Sequence, residues 1–186
     1  MTSLDVFEVD HPASQAWKRA RVAELGVAVP VRLHHLAIDF ERQTLGEGLA
    51  QSVVDLSRPV YLSMLGVAQY LTTDGMLQTL RDVAMTTAPG SEIVIQFVVP
   101  PAMLGSDEAA LVEALAERAR LVGEPWISFY RPADIERHLQ DAGFVNIVHF
   151  GPEEAAARYL QGRSDGLLLP AYFRMVHARL LSRASL

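Results

Sequence analysis

Apolar and polar positions fall into blocks along the chain, and the period of those blocks switches between two and 3.6. Val6, Phe7 and Val9 open a run of strand formers in which Glu8 and Asp10 share one face, and Pro12 stops it. Residues 13–26 read as a helix with apolar positions Trp17, Ala20, Val22 and Leu25. Lys18, Arg19, Arg21 and Glu24 lie mostly outward, and Gly26 stands just past its end. A second strand over 31–38 runs into Asp39, Phe40 and Glu41, so an acidic residue again closes a strand. Residues 44–54 suit a short helix, and 59–64 a third strand of the apolar, fully buried kind.

After the turn 66–71, Thr72, Thr73 and Asp74 open a helix with Leu77, Leu80, Val83 and Ala84 on its inner face. Residues 92–99 form a fourth strand that Pro100 and Pro101 terminate. A helix over 107–121 carries Leu111, Ala114, Leu115 and Ala119 as its stripe and an acidic outer face. Helix 132–142, strand 144–150, helix 153–160 and strand 173–181 follow, the last with Arg179 and Arg183 at its end. Strands alternating with helices predict an α/β fold with a parallel or mostly parallel sheet. Without repeat or linker, residues 1–186 read as a single domain.

Composition narrows the function classes. Half the residues are hydrophobic, enough to fold, and 16 Lys+Arg against 22 Asp+Glu give a net charge of -6. That balance argues against nucleic-acid and anionic-membrane partners and favours small neutral or cationic ligands. The absence of cysteine excludes disulfides, thiol catalysis and thiolate zinc sites, and makes the cytosol the expected compartment. The first residues lack the basic-then-apolar pattern of an export signal, and no apolar run approaches the roughly 20 residues of a membrane span.

Candidate chemistry gathers at the strand ends. A carboxylate at the carboxyl end of a parallel strand, before a helix, sits in the crevice where α/β sheets bind ligands, and it can accept bonds from a ribose diol. Asp10 holds such a position; it could equally cap the helix that begins near Pro12. Asp39 repeats the layout, with a loop or cap role as its alternative, and Phe40 beside it could be a core aromatic. Adjacent His34 and His35 face opposite sides of a strand, so they cannot form one metal site together. No histidine is assigned to catalysis, and no metal centre is expected. Neither a G-x-S-x-G elbow nor a glycine fingerprint for a nicotinamide cofactor occurs.

Four segments together carry a resemblance: VFEVDHPASQAWK (6–18), LAIDFERQTL (36–45), LSMLGVAQYLT (62–72) and GEPWISFYRPADIERHLQDAGF (123–144). In this order they resemble the S-adenosylmethionine-dependent methyltransferases of the leucine carboxyl methyltransferase type, in the bacterial branch linked to polyketide-type O-methylation. The resemblance implies a class I, Rossmann-like sheet with helices on both faces and S-adenosyl-L-methionine as cofactor. It makes Asp10 the carboxylate on the ribose hydroxyls and gives Asp39 the adenine amino group, with Phe40 beside the ring and Glu8 a further acidic match of less defined role. Tyr70 falls in a segment bordering the transfer site in such enzymes, where a Glu common in the family is replaced by Leu65. Tyr130 and Arg131, with Trp126 and Phe129, resemble a substrate-side wall, although an aromatic cluster is more often core.

The resemblance also implies elements that the chain lacks. Such enzymes open with a strand and a glycine-rich turn that approaches the methionine part of the cofactor, and here the one close glycine pair, Gly46 and Gly48, lies in a helical stretch. The expectation is therefore a truncated class I domain, its first strand missing between the strands that end at Asp10 and Met64, and its helical cap absent. Unpaired strand edges invite association, so a homodimer or an upstream-encoded N-terminal half is the expected partner beside a small-molecule methyl acceptor. A non-catalytic remnant that dimerises or binds a partner is the alternative to an enzyme.

Overall fold

The computed structural model describes residues 4–40 and 42–181, so Glu41 and Arg183 lie outside the described residues. These residues divide into two compact units, Met1–Leu56 and Ser57–Leu186.

In the first unit, β1 (Val6–Asp10) is followed by α1 (Pro12–Glu24), β2 (Leu33–Ala37) and α2 (Leu45–Ala50). β1 and β2 pair in parallel, with Val6 opposite Leu33 and Asp10 opposite Ala37. Thr44 caps α2 in a reciprocal box with Glu47, which lets a six-residue helix form. Ile38, Leu45 and Leu49 are the first unit's buried apolar side chains among the described residues. The stripe expected on α1 is not a buried face. Gln15 is the buried position of that helix, whereas Trp17 is 71% exposed and Leu25 is also outward. Spacing places residues on one side of a helix, but only a neighbour can bury them, and β1 and β2 offer two strands' width of cover.

The second unit contains β3 (Tyr61–Met64), a 3₁₀ turn over Ala68–Tyr70, α3 (Thr73–Thr86), β4 (Glu92–Val98) and α4 (Ser106–Leu121). α5 (Pro132–Asp141), β5 (Phe144–Phe150), α6 (Pro152–Tyr159) and β6 (Phe173–Leu180) complete it. Its sheet has the order β3-β4-β6-β5. β3 and β4 are parallel, but β6 runs antiparallel to both β4 and β5, so the sheet is mixed rather than mostly parallel. The cause is that the chain after β5 returns through α6 and a loop to insert β6 between two strands already ordered in sequence, which reverses its direction.

One face of this sheet is the core. Ile93, Ile95, Phe97, Val176 and Ala178 alternate with half-buried neighbours, as a period of two requires, and Met76, Leu80 and Val83 of α3 and Ile135 and Leu139 of α5 are buried with them. α5 packs on β5 and α3 on α5, while α6 meets β5 and reaches the other face, where Tyr159 lies 6.0 Å from the Phe150 ring. Two expectations are corrected. β3 is not a fully buried strand, because Tyr61 and Ser63 point to the open face. In α4 the buried residue is Val112, and Leu111 of the expected stripe is exposed. Among the described residues no helix is long and apolar enough to cross a membrane.

Candidate functional site

The parallel register of β1 and β2 brings two carboxylates to the same end of adjacent strands. Asp10 is the last residue of β1, opposite Ala37, and its carbonyl accepts the Ile38 N–H at 3.0 Å; Asp39 stands two residues past the end of β2. This is the carboxyl end, where a parallel pair leaves a crevice for ligand. Asp10 Oδ1 accepts the backbone N–H of His11 at 2.8 Å. The cap of α1 is His11 itself, whose Nδ1 accepts the Ala13 N–H at 3.2 Å. Of the two roles open to Asp10, the cap is thus filled by its neighbour. Asp10 lines a shallow hollow of about 460 Å³ with Ala13, Ser14, Trp17 and Lys18.

Asp39 is held by its own loop. Its backbone carbonyl accepts the N–H groups of Arg42 and Gln43 at 2.9 and 3.0 Å, and Oδ2 lies 3.2 Å from Arg42 Nε. Phe40 follows with 46% of its surface exposed, which leaves a ring face open to solvent at the same strand end. Glu8 stands two residues back on β1. Lys18 Nζ donates to its Oε2 at 2.7 Å, and its Oε1 is buried without a hydrogen bond, 4.0 Å from the equally unbonded Nδ1 of His35. On the opposite face His34 stacks on Phe7 at 4.7 Å and meets Asp5, whose carboxyl is held below the usual range by bonds from His34 and Arg32. The two histidines therefore face opposite sides and serve different carboxylates.

The remaining candidates belong to the second unit. Tyr70 ends the 3₁₀ turn, and its hydroxyl accepts from Trp126 Nε1 at 3.3 Å. Tyr130 is buried, 4% exposed, with its ring edge-on to His138 at 6.5 Å. Its hydroxyl makes no hydrogen bond of good geometry. Burial raises the phenol pKa above the ordinary tyrosine value, opposed by nearby Ser128 and Thr73. Arg131 is the exposed residue just before α5, and its carbonyl accepts the N–H groups of Asp134 and Ile135.

Sequence reasoning passed over two glutamines. Gly66, at a left-handed φ of 71°, is gripped from both sides: its N–H donates to Gln96 Oε1 at 2.8 Å, and its carbonyl accepts from Gln69 Nε2 at 3.2 Å. Gln69 is buried, and its carbonyl receives the N–H groups of Ile127 and Ser128, which ties the turn to the aromatic segment. A glutamine three residues after a glycine was the available signal; its partner on β4 is distant in sequence. Among the described residues no three His, Asp or Glu side chains are placed to hold a metal ion.

With an antiparallel strand inserted near the edge of the second unit's sheet and acidic residues at the ends of the first unit's parallel pair, the chain has the fold of solved class I methyltransferases. The apo form of the S-adenosylmethionine-dependent methyltransferase SibL superposes with a TM-score of 0.61 at 19% identity, over 96% of this chain and 44% of that one. A methyltransferase structure from Thermobifida fusca gives 0.63 at 21% identity, over 95% of this chain and 63% of that one.

More particularly, the sequence profile of the leucine carboxyl methyltransferase family matches residues 1–84. YktD of Bacillus subtilis, named as an S-adenosyl-L-methionine-dependent methyltransferase, is 27% identical over 176 residues, 95% of this chain and 58% of YktD. A protein of Mycolicibacterium vanbaalenii named in the same way is 28% identical over 158 residues, 85% of this chain and 46% of the relative. The chain thus resembles the leucine carboxyl methyltransferase type and spans about half the length of the curated relatives it matches.

Proposed function

We propose that this chain carries the adenosine-binding part of an S-adenosylmethionine-dependent O-methyltransferase of the cytoplasm, which methylates a carboxylate or hydroxyl of a small molecule. The observation that carries the reading is the pair of carboxylates, Asp10 and Asp39, at the carboxyl ends of adjacent parallel strands, with an exposed aromatic ring beside the second. The donor set suits the cofactor. A carboxylate accepts from both ribose hydroxyls, another accepts from the exocyclic amine, and a flat apolar ring covers adenine. His11 takes the capping duty and leaves Asp10 at the mouth of its hollow.

When bound, the sulfonium supplies an electrophilic methyl group, so this chain's residues are needed to bind and orient rather than to activate. Asp10 and Asp39 fix the nucleoside, and Phe40 keeps water from one face of the base. Tyr70, on the turn gripped by Gln69 and Gln96, is the residue this reading assigns to the acceptor, with Tyr130 and Arg131 behind it in the chain. A carboxylate acceptor needs no general base, and none is assigned. Neither nucleic acid nor membrane is a partner in this reading.

Calorimetric titration of the purified chain with S-adenosylmethionine tests it. Saturable binding that Asp10→Ala with Asp39→Ala abolishes is the expected result; no heat from a folded chain refutes it. A second reading, a non-catalytic homologue that binds a partner, rests on the outer edge of β3, which among the described residues pairs with β4 alone. A folded chain that ignores the cofactor and forms a stable complex would support it.

A further inference from the structure

We propose that Glu8 is a positioning residue for cofactor binding: it holds the Lys18 ammonium away from Asp10 and so keeps the Asp10 carboxylate free to accept from a ribose. The inference rests on the reading of Asp10 as the ribose carboxylate, and it gives Glu8 a role that requires no contact with the ligand. Glu8 and Asp10 stand two residues apart on β1, on one face and about 7 Å from each other. α1 lies over that face, where the Gln15 side chain donates to the Glu8 carbonyl at 3.4 Å. Lys18, three residues further along α1, lines the same hollow as Asp10, yet its Nζ donates to Glu8 Oε2 at 2.7 Å.

The surroundings of Glu8 explain why it takes the lysine. Its side chain is 22% exposed, and Oε1 is buried without a hydrogen bond, 4.0 Å from the equally unbonded Nδ1 of His35. A carboxylate with one oxygen so placed depends on its other oxygen for compensation, and the ammonium provides it. Both oxygens of Glu8 are thereby committed, which separates it from an acid that awaits a ligand. Asp39 shows the opposite arrangement: at the matching strand end a cation sits on the acid itself, with Oδ2 3.2 Å from Arg42 Nε. At Asp10 the cation within reach is drawn off by Glu8. Lysine is a compact charge on a flexible four-carbon stem, and half of the Lys18 side chain is exposed, so its head is free to move between two acids on one face. Without the Glu8 charge the ammonium pairs with Asp10 and occupies the oxygens that a ribose diol needs.

The test pairs calorimetric titration of the intact chain with S-adenosylmethionine and the carboxyl-carbon NMR signal of Asp10, which is read without ligand. Glu8→Gln keeps the length of the side chain and removes its charge. Cofactor binding at least tenfold weaker is expected, together with a displaced Asp10 signal. Adding Lys18→Met removes the released ammonium, so the signal should return and the affinity recover to within threefold of the wild-type chain. Glu8→Met takes the place of Glu8→Gln should that variant lose its circular dichroism spectrum. Binding by the folded single variant as tight as wild-type overturns the proposal. Equal weakness in the single and double variants overturns it as well, because Glu8 then acts by touching the cofactor or by supporting the strand. No heat from the folded wild-type chain refutes the adenosine reading instead, and the NMR signal then decides the role of Glu8 by itself. A displacement that Lys18→Met reverses supports the capture of Lys18 by Glu8; an unmoved signal overturns it.

Discussion

A carboxylate is useful to a ligand only where its own protein leaves it acceptor capacity, and the strand-end acids differ in this respect. Asp10 accepts one local N–H, whereas Asp39 also meets Arg42. Asp10→Ala alone is therefore expected to weaken S-adenosylmethionine binding more than Asp39→Ala. Hydrogen bonds to a charged group contribute about 1.5–3 kcal/mol, or roughly ten- to a hundredfold for Asp10. Titration of the two single variants decides the order. Tyr130 makes the opposite case. Its buried hydroxyl lacks a bond of good geometry, so Tyr130→Phe should leave the melting temperature unchanged or raise it. Because burial raises the folded phenol above the ordinary tyrosine value of 10.0, the unfolded chain releases that proton first. The contribution is complete below pH 10.0 and lost as pH rises through the folded value; denaturant titrations above pH 10.0 should show a shallower loss in Tyr130→Phe.

At the scale of elements, short pieces depend on their ends. α2 has six residues, and the Thr44 hydroxyl accepts the Glu47 N–H while Glu47 accepts that of Thr44. Thr44→Ala should cost about 1 kcal/mol, read from urea unfolding. The turn after β3 depends on backbone rather than space: a Cβ at Gly66 would meet nothing within 4 Å, yet φ is 71°. Gly66→Ala should therefore cost about 1–2 kcal/mol through conformation alone. Both features were legible locally, since Thr-x-x-Glu and a glycine between strand and helix are short-range signals. The grip of Gln96 on Gly66 was not, because it joins residues thirty positions apart.

Taken whole, the chain concentrates its buried apolar side chains in the second unit, where β4 and β6 alternate through Ile93, Ile95, Phe97, Val176 and Ala178. Phe97→Ala should cost about 3–5 kcal/mol there. The first unit, with Ile38, Leu45 and Leu49 buried, has less to hold it. Amide hydrogen exchange should accordingly be slower in β4 and β6 than in β1 and β2, and equal protection would contradict this distribution.

What the chain determined by itself is what neighbours in sequence can enforce. The strand and helix blocks, the proline and glycine stops and the opposed faces of His34 and His35 follow from period and backbone sterics. So do Asp10 and Asp39 as parallel-strand ends, since each depends on an element boundary that the sequence marks. The tertiary structure alone decided the rest. It inserted β6 antiparallel between β4 and β5, left Trp17 exposed, buried Tyr130 and opened the Tyr61 side of β3. Each of those outcomes depends on which distant surface arrives to pair or cover, and a pattern of apolar positions states that a face needs cover without naming what provides it.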